Sequence, residues 1–133
     1  MCSVGVSAVD ETRRNASPSA SGIRSELSGD DIFVVSLSGE HDLYTAPRVQ
    51  AALREVVAAG ASTTVVDLSE TTFLDSTMLH VFLVARSELG DGGRLLLVSD
   101  DAAVRRVFEV TGIDRFFEFF PSRRAAEEEV WSA

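Results

Sequence analysis

Lysine is absent from these 133 residues. All 12 basic side chains are arginines, set against 21 Asp and Glu, for a formal net charge of −9. That balance argues against a nucleic-acid-binding surface, because phosphate contacts need clustered cations. It also argues against docking on anionic membranes, whereas a basic partner surface is steered toward the chain. Cysteine is almost missing. Cys2 is the single thiol, which excludes an internal disulfide and a cysteine-ligated metal site and leaves only a crosslink between chains. The two histidines, His41 and His80, show no familiar ligand spacing, so neither metal nor cofactor is expected. No apolar run approaches the ~20 residues of a membrane-spanning helix. The opening residues MCSVGVSAVDETRRNASPSASG have no basic start followed by an apolar stretch, so no secretory signal is read there and the expected location is the cytoplasm.

What is present suffices for one domain. Hydrophobic residues make up 45% of the chain, enough for one modest core at this length. Residues 1–21, rich in Ser, Ala and Asn without a period, are expected to form a flexible tail, with the ordered domain over 22–133. Ile23 to Leu27 predicts a short edge strand, Ser28-Gly29-Asp30-Asp31 a hairpin turn, and Ile32 to Leu37 a buried strand. Thr45-Ala46-Pro47 opens a helix with Thr45 as cap. Its apolar face is Val49, Ala52, Leu53, Val56 and Val57, and Gly60 supplies a left-handed end. Thr63 to Leu68 predicts the next strand, Ser76 to Leu89 a second helix and Arg94 to Ser99 a third buried strand. A third helix is capped by Asp100 or Asp101, shows Val104, Val107, Phe108 and Thr111 on one face, and ends before Gly112. Phe116 to Phe120 predicts a final strand. Ser122 caps a closing helix that carries Glu127 to Glu129 and buries Val130 or Trp131. Alternating strands and helices after a hairpin imply an α/β fold with a mixed sheet of four or five strands and about four helices.

Several short stretches invite chemical readings. Asp75-Ser76 before the second helix is first of all a cap. On that helix Met78, Leu79, Phe82, Leu83, Ala85 and Leu89 share one side. Ser76, Thr77, His80, Val84 and Ser87 share the other, with Val81 and Val84 offering a small apolar surface contact. Ser76 and His80 are one turn apart, but a hydrolase also needs an orienting acid, an oxyanion hole and a strained nucleophile turn. No enzyme is therefore expected. Glu40-His41-Asp42 is read as a solvated loop bordering a partner site rather than a metal site. Gly92-Gly93 is read as a tight turn, since a phosphate loop needs further glycines and a lysine. The phenylalanines at 116, 117, 119 and 120 cannot all face one way on a strand, so one or two are expected at the surface.

Three segments in fixed order carry a resemblance: Leu37-Ser38-Gly39-Glu40-His41-Asp42-Leu43-Tyr44-Thr45-Ala46-Pro47; Val65-Val66-Asp67-Leu68-Ser69 running on to Phe73-Leu74-Asp75-Ser76-Thr77; and Gly92 to Val98, then Val104-Arg105-Arg106-Val107-Phe108-Glu109-Val110-Thr111-Gly112. Together they resemble the STAS domain, the fold of bacterial anti-sigma factor antagonists, with a mixed sheet and helices mainly on one face. The resemblance implies a protein that binds an anti-sigma factor kinase, releases a sigma factor, and is switched off when the kinase phosphorylates a serine at the start of the second helix; a phosphatase reverses this. The family pattern there is Asp-Ser-Ser/Thr-Gly-Leu-Gly. It matches Asp75-Ser76-Thr77-Met78-Leu79-His80, which makes Ser76 the expected phosphoacceptor, with Thr77 as the alternative; Met78 and His80 stand where the pattern has glycine. Expected partner contacts are Asp42, Thr45, Asp75, Thr77, His80 and Val84. The expected assembly is a monomer or weak dimer. The other roles open to such a domain are a non-phosphorylated scaffold of a stress-signalling complex and an accessory subunit of a transporter.

Overall fold

A computed structural model describes residues 21–28 and 32–132. The expected flexible tail falls outside the described residues except for Ser21. Cys2, the hairpin residues Gly29-Asp30-Asp31 and the side chain of Trp131 lie outside them too. The elements run β1 (Gly22–Ser28), β2 (Ile32–His41), α1 (Ala46–Ala58), β3 (Thr63–Leu74), α2 (Ser76–Leu89), β4 (Arg94–Val98), α3 (Ala102–Thr111), a 3-10 turn (Ile113–Phe116), β5 (Glu118–Phe120) and α4 (Arg123–Ser132). They form one five-stranded sheet in the order β1-β2-β3-β4-β5. β1 and β2 are antiparallel, and every later neighbour is parallel. A hairpin and then three helical crossovers dictate that pattern, because parallel neighbours need a long connection.

Alternation along each strand builds two cores. Val35, Leu37, Val66, Leu68, Leu95 and Leu97 face α1, α2 and α3, where they meet Val49, Leu53, Val56, Met78, Leu79, Phe82, Val104 and Phe108. Ile32, Val34, Val65, Leu96 and Val98 face the other way and are covered by Ala126, with Phe120 and Val130 packed alongside. Three helices therefore cover one face and α4 the other. Of the phenylalanine cluster, Phe117 is buried and Phe116 is exposed. Residues 113–116 form a 3-10 turn, so β5 starts at Glu118, two residues later than the sequence suggests.

The caps obey the residue chemistry. The Asp101 carboxylate accepts from the Ala103 amide, the Ser122 hydroxyl accepts from the Ala125 amide, and Gly112 ends α3 in the left-handed region at φ 76°. Gly93 is needed for a close approach, since a Cβ there would sit 2.7 Å from Leu89 Cβ and 2.8 Å from the Leu89 carbonyl oxygen.

Two strands run longer than their apolar cores. β3 continues past Leu68 to Leu74, and β2 past Leu37 to His41. The register between them slips twice, between Ser36 and Ser38 and between Gly39 and Glu40. Each slip places an extra β3 residue against β2 and re-aims the side chains beyond it. The outcome is that Glu40 pairs with Phe73 and His41 with Leu74. Both strands thus end level, and the β2–α1 loop emerges beside the β3–α2 junction.

Candidate functional site

That shared end gathers most of the residues singled out by sequence. Asp75 is the N-cap of α2, in extended backbone, and its carboxylate accepts from the amides of Thr77 at 3.0 Å and Met78 at 3.3 Å. Capping is therefore the work of Asp75, and Ser76 stands at the first helical position, exposed. A group here meets the positive end of the helix dipole and first-turn amides that lack helical partners. His80 is exposed one turn on, Thr77 and Val84 are half-buried, and Met78 is fully buried. The expected Val81–Val84 surface is corrected: Val81 is buried in the core, which leaves Val84 alone on that side. Replacing Asp75 by Ala should cost about 1 kcal/mol of unfolding free energy, and Asp75→Asn should keep most of it. Chemical denaturation of the three proteins checks this; equal stability of all three would contradict the cap.

The neighbouring loop is rigid by construction. The Asp42 carboxylate accepts from the Tyr44 amide at 2.9 Å, and the Asp42 carbonyl accepts from the amides of Thr45 and Ala46 at 3.1 and 2.9 Å. Thr45 precedes α1 as expected, yet its side chain makes no cap bond to the helix. It is buried and turned back, accepting from the Asp42 amide at 3.0 Å. Thr45 therefore shapes the loop and is not placed to touch a partner.

His41 is the largest departure from the sequence expectation of a solvated loop. It is the last residue of β2 and has no exposed surface. Its Nε2 lies 3.0 Å from the Ser38 carbonyl and its Nδ1 lies 3.1 Å from the Thr45 hydroxyl. A carbonyl only accepts, so the imidazole proton sits on Nε2 and Nδ1 is the acceptor. The Thr45 hydroxyl reaches both the Asp42 carbonyl at 3.2 Å and Nδ1 at 3.1 Å; the carbonyl already takes two amides, so the single hydroxyl proton is assigned to Nδ1. Both nitrogens are committed, and neither is open to a metal. Burial pushes the His41 pKa below its ordinary value, helped by the Arg48 charge and opposed by the Ser38 and Gly22 carbonyls and Asp42. A depressed native pKa means that the unfolded chain binds the proton first. Stability is then fully present above the unfolded value of about 6.5 and falls below it at up to about 1.4 kcal/mol per pH unit, until His41 protonates in the folded state. The unfolding free energies of wild type and His41→Gln should therefore converge from about pH 7.5 to about pH 5.5; a constant gap would contradict a neutral buried His41.

Three exposed apolar side chains border this end and were not read as functional from sequence: Leu43 at 63%, Tyr44 at 87% and Phe73 at 49% exposure. Leu43 and Tyr44 project from the Asp42-braced loop, and Phe73 is two residues before the cap. Leu43 and Tyr44, adjacent large apolar groups exposed on a hydrogen-bonded loop, are candidates for an interaction surface. The available signal was the run Leu43-Tyr44 inside an otherwise polar connection. Among the described residues no group of three His, Cys, Asp or Glu is arranged to hold a metal, and no helix is long and apolar enough to cross a membrane.

Comparison with known proteins gives this end of the sheet its context. The sequence profile of the STAS domain matches residues 27–126. The anti-sigma-F factor antagonist RsfB of Mycobacterium tuberculosis is 33% identical over 67% of this chain and 73% of its own length. An anti-sigma-B factor antagonist of Listeria monocytogenes is 37% identical over 66% of this chain and 75% of its own. The crystal structure of an anti-sigma factor antagonist from Mycobacterium paratuberculosis superposes with a TM-score of 0.79 at 33% identity, covering 86% of this chain and 97% of that one. A profile spanning most of the residues, a matching fold and relatives at this identity agree: the chain belongs to the STAS domain family.

Proposed function

We propose that this protein is an anti-sigma factor antagonist that binds an anti-sigma factor of the serine kinase type, frees a sigma factor, and is switched off by phosphorylation at Ser76. The observation that carries the switch is the position of Ser76: exposed, at the first turn of α2, beside a braced loop that presents Leu43 and Tyr44. The names of the relatives support the regulatory role. A kinase would transfer the terminal phosphoryl group of ATP to the Ser76 hydroxyl, and a phosphatase would remove it. The chain acts as binding partner and substrate, and the chemistry belongs to the kinase and phosphatase.

The physical basis is charge on a binding face. A phosphate adds about −1.5 to −2 charges at neutral pH. It is tolerated by the helix N-terminus, so the domain need not refold. A partner seated over Ser76, Tyr44 and His80 meets that charge directly, next to the carboxylate of Asp75. Met78 is buried and leaves the surface unaltered; His80 adds a side chain one turn from Ser76 and sets which kinase surfaces fit. Asp42, Asp75, Thr77 and Val84 complete the contact region, with Leu43 and Tyr44 as its anchors.

Tyr44→Ala should weaken binding to the cognate anti-sigma factor by about 2 kcal/mol, the size of an aromatic hot spot, without lowering thermal stability. Titration calorimetry against the anti-sigma kinases of the same genome tests the site. Undiminished binding of Tyr44→Ala and Leu43→Ala would move the interface elsewhere. Binding that persists at full strength with no phosphorylation by any kinase would favour a constitutive STAS scaffold.

A further inference from the structure

Among the described residues β1 pairs with β2 alone, so its outer edge meets no other strand of the sheet. Such an edge offers a row of backbone donors and acceptors to any second strand. Natural edges are guarded by charged side chains, lysine above all, by proline or by bulges. β1, Gly22-Ile23-Arg24-Ser25-Glu26-Leu27-Ser28, contains neither lysine nor proline, and its register with β2 runs unbroken from Gly22↔Ser38 to Ser28↔Ile32. Its residues Ser25, Glu26 and Leu27 are exposed, as is Arg24 before them.

The order of these side chains is self-complementary. Laid antiparallel on a second copy about a two-fold axis through Ser25, the strand sets Arg24 opposite Glu26, Ile23 opposite Leu27, and Ser25 opposite itself. Sheet faces agree as well. Ile23 and Leu27 pair with Leu37 and Phe33 of β2 and share the α1 face, while Arg24 and Glu26 pair with Ser36 and Val34 and share the α4 face. Leu27, 55% exposed, gains an apolar neighbour. Glu26 is already held by Arg123 at 2.8 Å, which orients its carboxylate without using every acceptor site. Centring the pair on Arg24 would oppose Arg24 to Arg24, and centring it on Glu26 would oppose Glu26 to Glu26; like charges directly opposite are destabilising. The two charges therefore select one register.

We propose that the β1 edge is a self-association surface at which two copies join their sheets antiparallel about Ser25. The interface is isologous, as in most homodimers, and leaves α2 with Ser76, which comes after the third strand of the sheet, free on each copy. One strand pair covers less than the about 1,000 Å² of a stable interface, so the dimer is weak and concentration-dependent.

Site-specific crosslinking tests it. Residues directly opposite in an antiparallel pair have Cα atoms about 4.5–5.5 Å apart, within disulfide range. In a Cys2→Ser background, full-length Ser25→Cys should form a covalent dimer under mild oxidation, whereas Arg24→Cys and Glu26→Cys should form several-fold less. In sedimentation of the unmodified chain, the apparent mass should rise from 14.3 kDa toward twice that value with concentration. Arg24→Glu should abolish the rise, and Arg24→Lys, which keeps the charge, should retain it. Equal crosslinking at residues 24, 25 and 26, none at 25, or a monomer at every concentration would overturn the pairing. None of these readouts requires the anti-sigma partner, so their failure leaves the proposed switch untouched.

Discussion

Phosphorylation of Ser76 is expected to weaken binding to the anti-sigma partner by about a hundredfold or more. Like charges brought together at an interface cost several kcal/mol, and each 1.4 kcal/mol is about tenfold. Ser76→Asp carries only one charge and a shorter reach, so it should fall between the wild type and the phosphoprotein. Ser76→Ala should bind as the wild type does and resist the kinase. Stability separates this from simple damage. Asp75 already occupies the Thr77 and Met78 amides, but the helix dipole still favours an added anion at the first turn. The melting temperatures of Ser76→Asp and the phosphoprotein should therefore stay close to that of the wild type. Lost affinity together with a large drop in melting temperature would point to unfolding and against an electrostatic switch.

Phe108→Ala is expected to be the most damaging single change in the core, at about 3–5 kcal/mol. Phe108 has no exposed surface. Its ring stacks on Phe82 at 6.2 Å and takes edge contacts from Phe117 at 6.0 Å and Phe119 at 5.0 Å. It thereby ties α3 to α2 and to the β5 region, and Arg105 adds a cation over Phe119 at 5.1 Å. A cavity of that size takes a large share of the roughly 5–15 kcal/mol that holds an ordinary domain together. Phe116→Ala makes the contrast. Phe116 is 46% exposed, and its loss should stay within about 0.5 kcal/mol. Urea titrations of both variants check this; comparable losses would mean that Phe108 is not the centre of the aromatic packing.

The phenylalanines also show what the sequence could convey. Alternation on a strand required that they divide between faces, and they do, but it did not say that Ile113–Phe116 would wind into a 3-10 turn and delay the strand. Strands made of apolar runs, such as Ile32 to Leu37, Thr63 to Leu68 and Arg94 to Ser99, were legible because both faces of a central strand are buried; the last ends one residue sooner, at Val98. The extension of β3 through Ser69-Glu70-Thr71-Thr72 was not legible. Its polar residues lie across two register slips, and a slip resets the period of two on which strand recognition rests.

The candidate site divides in the same way. Ser76 could be placed at an exposed helix start because cap chemistry and helical period are local. His41 could not be placed, because burial of an imidazole depends on a carbonyl three residues back and a hydroxyl four residues ahead meeting it in space. Thr45 has the residue type of a cap, and its hydroxyl was claimed by the loop instead. Leu43 and Tyr44 became visible as candidate anchors only when the exposed side of the Asp42 turn was known. Val81 was assigned to the surface by its neighbour Val84, and the fold takes it into the core.

The most direct test is mass spectrometry of the full chain incubated with ATP and each anti-sigma kinase of the same genome, alongside Ser76→Ala and Thr77→Ala. Gain of a single phosphate that is lost in Ser76→Ala and kept in Thr77→Ala is the predicted result. Binding to a kinase with no phosphate gained, or a phosphate that survives in Ser76→Ala, would contradict the switch at Ser76.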